Sequence, residues 1–229
     1  MKKQSRPIYC LSTTAFIAVF VFFFTAQALC ADVLTLDQLI AKIQERYEAT
    51  KDIRAQFTQE VTIKSMNKTE REEGVVSVKN PRRMLWVYSK PRAKKLIINQ
   101  EKAWLYIPED HAAYVQDSEK IYSSKLGVKF LSGIGKLGED FEIGFSKPES
   151  VDKNGNYLLT LVPKATDTGV GKLYLTVDKN DFQVIQCSFT DLYGNLTRIR
   201  LTGIKINNNL EDKLFNFKPP AGVEVFNMP

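Results

Sequence analysis

The sequence predicts a mainly β protein of the α+β class. Its core is a single curved antiparallel sheet of about eleven strands, covered by an N-terminal helix and a short central helical segment. Three observations predict this. Apolar and polar residues alternate along most of the chain: Ile53, Ala55, Phe57, Gln59, Val61 and Ile63 keep one parity against Arg54, Gln56, Thr58, Glu60 and Thr62. Period-two alternation marks a strand with one wet face. Turn-forming residues recur at short intervals, which suits a meander of antiparallel strands. Only two stretches keep helical spacing, and a sheet of this size needs both to cover its concave face.

The elements follow in order. Lys2, Lys3 and Arg6 precede an apolar run from Ala15 to Thr25, and Ala26-Gln27-Ala28 supplies small residues beyond it. This pattern predicts a cleaved export signal over residues 1–31, cut between 28 and 31, because the apolar core is too short to span a bilayer. Cys30 leaves a second reading open, in which that cysteine is acylated and anchors the chain. One domain is expected over residues 32–229. Thr35 and Gln38 have capping-box spacing, and Leu36, Leu39, Ile40, Ile43 and Tyr47 share one face of the helix they begin.

Strands are then expected from Ile53 to Ile63, through Gly74 to Val78, and over Met84–Tyr88, Ala93–Ile98, Ala103–Ile107 and Ala112–Val115. A hairpin at Met66-Asn67-Lys68 and breaks at Pro81 and Pro108 separate them. From Ser118 to Leu137 the apolar spacing is helical but interrupted by Gly127, Gly133 and Gly135, which predicts one or two short, weakly held helices. Strands resume at Phe141–Phe145, Tyr157–Val162, Lys172–Val177, Phe182–Phe189 and Leu196–Ile206, and a segment from Phe215 to Val225 closes the chain.

Composition narrows the function. The export segment carries three of the 32 basic residues and none of the 26 acidic ones, leaving a net charge of +3 on the rest. So mild an excess gives no reason to expect nucleic acid. His111 is the single histidine, so a histidine-based catalytic constellation or a metal site has little to draw on. Neither glycine-rich phosphate motif occurs. No catalytic residue, metal or cofactor is expected, and the chain is read as a non-enzyme. Cys187 lies in an apolar strand pattern and reads as a small buried hydrophobe.

Two features can be read two ways. Trp86 and Tyr88 share one strand face, as do Trp104 and Tyr106; all four rings are either ordinary sheet core or the lining of a ligand cavity. The basic run Lys79, Arg82, Arg83, Lys90, Arg92, Lys94 and Lys95 is either a solvated strand edge or a docking patch for an anionic partner.

The stretch Val76 to Pro91, with Lys79-Asn80-Pro81-Arg82-Arg83 leading into Trp86-Val87-Tyr88, resembles a signature of the LolA family of outer-membrane lipoprotein carriers. Phe57-Thr58-Gln59, Trp104-Leu105-Tyr106-Ile107-Pro108, Asp191 to Thr197, and Phe215 to Val225 resemble further family motifs in the same order. The resemblance implies an incomplete β-barrel with a helical lid over a hydrophobic cavity. It implies a periplasmic chaperone, expected to be monomeric, that takes acylated lipoproteins from an inner-membrane ABC exporter toward an outer-membrane receptor. Phe57, Val61, Trp86, Tyr88, Trp104 and Tyr106 are then the candidate acyl-chain lining, with Phe130, Leu131 and Ile134 in the lid. Some members place a lid-latching arginine just before the signature proline. Asn80 stands there in this chain, so Arg82 and Arg83 are the candidates to take over. A lipid-sensing periplasmic regulator and a membrane-anchored lipoprotein receptor of the same fold are the alternatives.

Overall fold

The computed structural model describes residues 34–124, 137–165 and 170–228. The expected export segment and the lid residues Phe130, Leu131 and Ile134 lie outside them. Helix α1, Leu36–Glu48, begins at the expected capping box: Thr35 Oγ1 accepts from the Gln38 backbone N–H, and Gln38 Oε1 accepts from that of Thr35.

The first half of the sheet is β1 (Asp52–Ile63), β2 (Lys68–Lys79), β3 (Arg83–Lys90), β4 (Lys94–Ile98), β5 (Lys102–Ile107) and β6 (Ala112–Asp117). Two short helices follow, α2 (Ser118–Ser124) and α3 (Leu137–Asp140). The second half is β7 (Phe141–Phe145), β8 (Tyr157–Pro163), β9 (Val170–Val177), β10 (Val184–Asp191) and β11 (Leu196–Ile206), and the chain ends in β12 (Glu224–Asn227). These twelve strands form one open sheet in the order β12-β6-β5-β4-β3-β2-β1-β11-β10-β9-β8-β7. The expected count of about eleven falls short by β12, whose pairing with β6 is parallel. Its four residues, all exposed, carry no alternation by which a sequence could announce a strand.

The registers Cys187↔Ile199 and Ile199↔Gln59 put the apolar faces of both halves on one side, the inner face. There α1 lays Leu39 and Ile43, both fully buried, on Leu159, Leu161, Leu173, Leu175, Val177 and Cys187. Each such side chain contributes about 1.5–3 kcal/mol, so α1 is held chiefly by packing. Cys187 is buried among them as expected, and burial pushes its thiol up to about 12. The other half of the inner face packs Phe57, Met84, Trp86, Tyr88, Ile98 and Ile199 under Ile121 and Tyr122 of α2. On the outer face a C-terminal strap seats Phe215, fully buried, against Leu85 and Ile97.

Candidate functional site: an aromatic floor under a short helix

Three strands build the floor. On the inner face Phe57 of β1 lies opposite Gly74 of β2, and Gly74 lies opposite Tyr88 of β3. A bulge between Glu73 and Gly74 draws β3 close at this point. A Cβ on Gly74 would stand 2.0 Å from the Val87 carbonyl oxygen and 2.8 Å from Phe57 Cε1. The missing side chain thus lets the Phe57 ring reach across the sheet. Its centroid lies 4.6 Å from Trp86 and 4.9 Å from Tyr88, edge-to-face in both cases. Such geometry adds about 0.5–1.5 kcal/mol per pair beyond area burial.

One end of this floor is polar. Tyr88 Oη donates to Gln59 Oε1 at 3.3 Å, and Gln59 Nε2 donates to Glu72 Oε2 at 3.1 Å. Lys94 Nζ donates to Glu72 Oε1 at 2.6 Å and stands 4.3 Å from the Tyr88 ring centroid. Burial, and then the Glu72 charge, raise the Tyr88 hydroxyl well above its ordinary range, so it stays a neutral donor. At the apolar end Trp86 Nε1–H is buried without an acceptor among the described residues. A buried donor left unmade costs about 1–3 kcal/mol. The floor thus joins a charged rim at one end to packed apolar rings at the other.

The cover is α2. Ile121 and Tyr122 are buried against the floor, while Ser118 ties the start of the helix to the β4–β5 turn. Its N–H donates to the Glu101 carbonyl at 3.0 Å and its Oγ donates to that of Gln100 at 2.9 Å. Arg82 fastens the helix from outside: Nη1 lies 2.6 Å from Glu119, and the guanidinium stands 5.3 Å over the Tyr122 ring.

The other expected site residues divide. Val61 lies on the same face as Phe57, half-buried further along β1. Trp104 and Tyr106 are not brought to the floor. Trp86 pairs with Leu96 and Leu96 with Leu105, so Leu105 shares the inner face and its two neighbours point outward. There they meet Phe217 at 5.5 and 5.3 Å. Asn80 donates from Nδ2 to the Thr50 carbonyl at 2.8 Å, and Arg83 lies 3.3 Å from Asp212 in the strap. Of these three residues, Arg82 is the one that meets α2.

The basic run is not a sheet edge, since β3 and β4 lie inside the sheet and its edges are β12 and β7. Most of its charges are matched: Lys79 and Arg83 by Asp212, Lys90 by Glu73, Arg92 by Glu109 and Asp110, and Lys94 by Glu72. Sequence reading missed the roles of Glu72 and Lys94. Gln59 carried a signal as a polar residue on an apolar parity, and Ile121 and Tyr122 carried one in the helical spacing of the central segment expected to cover the sheet.

A family model described as outer membrane lipoprotein carrier protein LolA matches residues 48–218. An outer-membrane lipoprotein carrier protein of Methylobacillus flagellatus is 27% identical over 186 residues, covering 81% of this chain and 87% of its own. Another, from Pseudomonas aeruginosa, is 30% identical over 175 residues, covering 75% and 79%. Among solved structures, an uncharacterized conserved protein from Thermus thermophilus shares the fold at a TM-score of 0.53 and 14% identity, over 84% of this chain and 98% of that one.

Proposed function

Because the chain belongs to the LolA family of outer membrane lipoprotein carrier proteins, we propose that it is a non-enzymatic periplasmic chaperone whose inner face shields lipoprotein acyl chains. The observation that carries this reading is the floor of Phe57, Trp86 and Tyr88 beneath Ile121 and Tyr122 of α2. Its cargo is an acylated lipoprotein received from an inner-membrane ABC exporter and passed to an outer-membrane receptor.

Magnitudes constrain how it holds such cargo. Each buried CH₂ is worth about 0.8 kcal/mol, so two or three long chains fully buried would gain roughly 25–35 kcal/mol. Non-covalent affinities saturate near about −20 kcal/mol, and a carrier must also let go. Burial is therefore shallow, and part of the gain goes into displacing α2 and its Ile121 and Tyr122 from the floor. The Arg82–Glu119 pair is exposed and weak, so it sets where the cover rests without locking it. Phe130, Leu131 and Ile134, which share helical spacing in the sequence, are the residues proposed to supply the rest of the lid.

The test is release of labelled lipoprotein from spheroplasts bearing a matched exporter. The soluble protein is expected to draw triacylated lipoprotein into the medium as a one-to-one complex, and Leu131→Glu to do so poorly while staying folded. Absence of release by the folded native protein would reject carriage and favour a lipid-sensing regulator or an anchored receptor.

A further inference from the structure

Among the described residues the three most exposed large apolar side chains stand in solvent at neighbouring hairpin tips. Met66 is 65% exposed in the β1–β2 connection, and Leu192 and Tyr193 are 80% and 85% exposed in the β10–β11 connection. The two tips are joined. The Lys64 N–H donates to Asn195 Oδ1 at 3.1 Å, and the Lys64 stem passes over Gly194.

The Leu192-Tyr193 turn is built to hold these side chains outward. Asp191 Oδ1 accepts from the N–H groups of Tyr193 and Asn195 at 2.9 Å each, and Asp191 Oδ2 accepts from Asn195 Nδ2 at 2.9 Å. The Gly194 N–H returns to the Asp191 carbonyl, and the Asp191 N–H donates to that of Asn195. Gly194 sits at a φ of 80°, where a side chain would be strained. The N–H groups of Asp191, Tyr193, Gly194 and Asn195 are thus satisfied within the turn itself. That condition lets a backbone segment leave water for the bilayer interface at low cost.

The geometry points to these paired tips as a membrane-contact knob, which inserts Met66, Leu192 and Tyr193 into the interfacial layer of a phospholipid bilayer. A convex tip of three side chains is too small for a stable protein interface, which needs about 800 Å² per partner. A fluid bilayer, by contrast, accommodates a convex knob. Charge does not drive the contact: Lys68 is paired with Glu70 at 2.9 Å, and the turn over which Lys64 passes contains the Asp191 carboxylate. The contact is weak, apolar and reversible, and it is independent of what the inner face binds.

The experiment is co-sedimentation of protein, recovered in soluble form from cells expressing the full chain, with phosphatidylethanolamine–phosphatidylglycerol vesicles. The native protein is expected to bind and to keep binding at high salt. Met66→Ser/Leu192→Ser/Tyr193→Ser is expected to bind about tenfold more weakly, with an unchanged circular dichroism melt. As a second readout in an otherwise native chain, Tyr193→Trp should give a blue-shifted emission when vesicles are added. Equal binding by the triple variant, no binding by the native protein, loss of binding in salt, or binding only to membranes that retain their proteins would each overturn the assignment. A protein that carries cargo yet ignores vesicles sinks only the knob; one that binds vesicles but releases no lipoprotein sinks only the cargo reading.

Discussion

Gly74 is the residue on which the aromatic floor turns, because one absent methyl group lets β3 and the Phe57 ring occupy the same neighbourhood. Restoring that carbon as Gly74→Ala forces either the strands or the ring to move. The substitution is expected to cost about 1–3 kcal/mol, read as a lower urea midpoint; an unchanged midpoint would mean that the bulge relaxes freely. Cys187 offers a second test. Its thiol, ordinarily near 9.0, is pushed up to about 12 by burial, so above pH 9 the unfolded chain loses a proton that the folded chain keeps. This contribution is intact below that pH and declines as pH rises toward 12, at about 1.4 kcal/mol per pH unit. Cys187→Ala should flatten the fall in stability over that window, measured by urea unfolding at stepped pH. At this scale the sequence was readable within strands and not between them. Phe57, Trp86 and Tyr88 could be placed on apolar parities, but the turn at residues 99–101 sets the phase of β5 against β4, and periodicity cannot report that phase. Trp104 and Tyr106 therefore belong to the opposite face.

Among the elements, α1 and α2 differ in how they are held, and that difference was partly legible. The Thr35–Gln38 box and the stripe through Leu39 and Ile43 announced α1 because both are local signals. For α2 the sequence offered helical spacing but not the partner, since Arg82 reaches Glu119 from 37 positions away. The Arg82 and Glu119 side chains are 38% and 70% exposed, which limits their pair to about 1 kcal/mol or less. Arg82→Ala is thus expected to leave the melting temperature nearly unchanged while α2 amides exchange with deuterium faster and α1 amides do not. Equal exchange in α2 of both proteins would show that Ile121 and Tyr122 alone hold the cover. The strand-edge reading of the basic run failed for a similar reason: a count of lysines and arginines reveals neither the strand order nor the carboxylates brought to them by other strands.

In the whole molecule the outer face is closed by the C-terminal strap, whose Phe215 fills a site between β3 and β4 while Asp212 draws in Lys79 and Arg83. Phe215→Ala is expected to cost about 3–5 kcal/mol, measured by denaturant unfolding, and a loss below about 1 kcal/mol would demote the strap to a passive cover. The strap was legible as a motif but not as packing, because its partners are distant in the chain. The strand order carries a further consequence, one of time. From β1 to β6, and again from β7 to β11, each strand pairs with its successor and can zip up locally. The two sub-sheets meet along the β1–β11 seam, where Glu60 and Arg198 face each other across 138 positions. Loop-closure entropy must be met in full before that seam returns any pairing energy. Seam closure thus sets the folding clock, and until β11 has emerged β1 presents a bare edge to any other strand it meets.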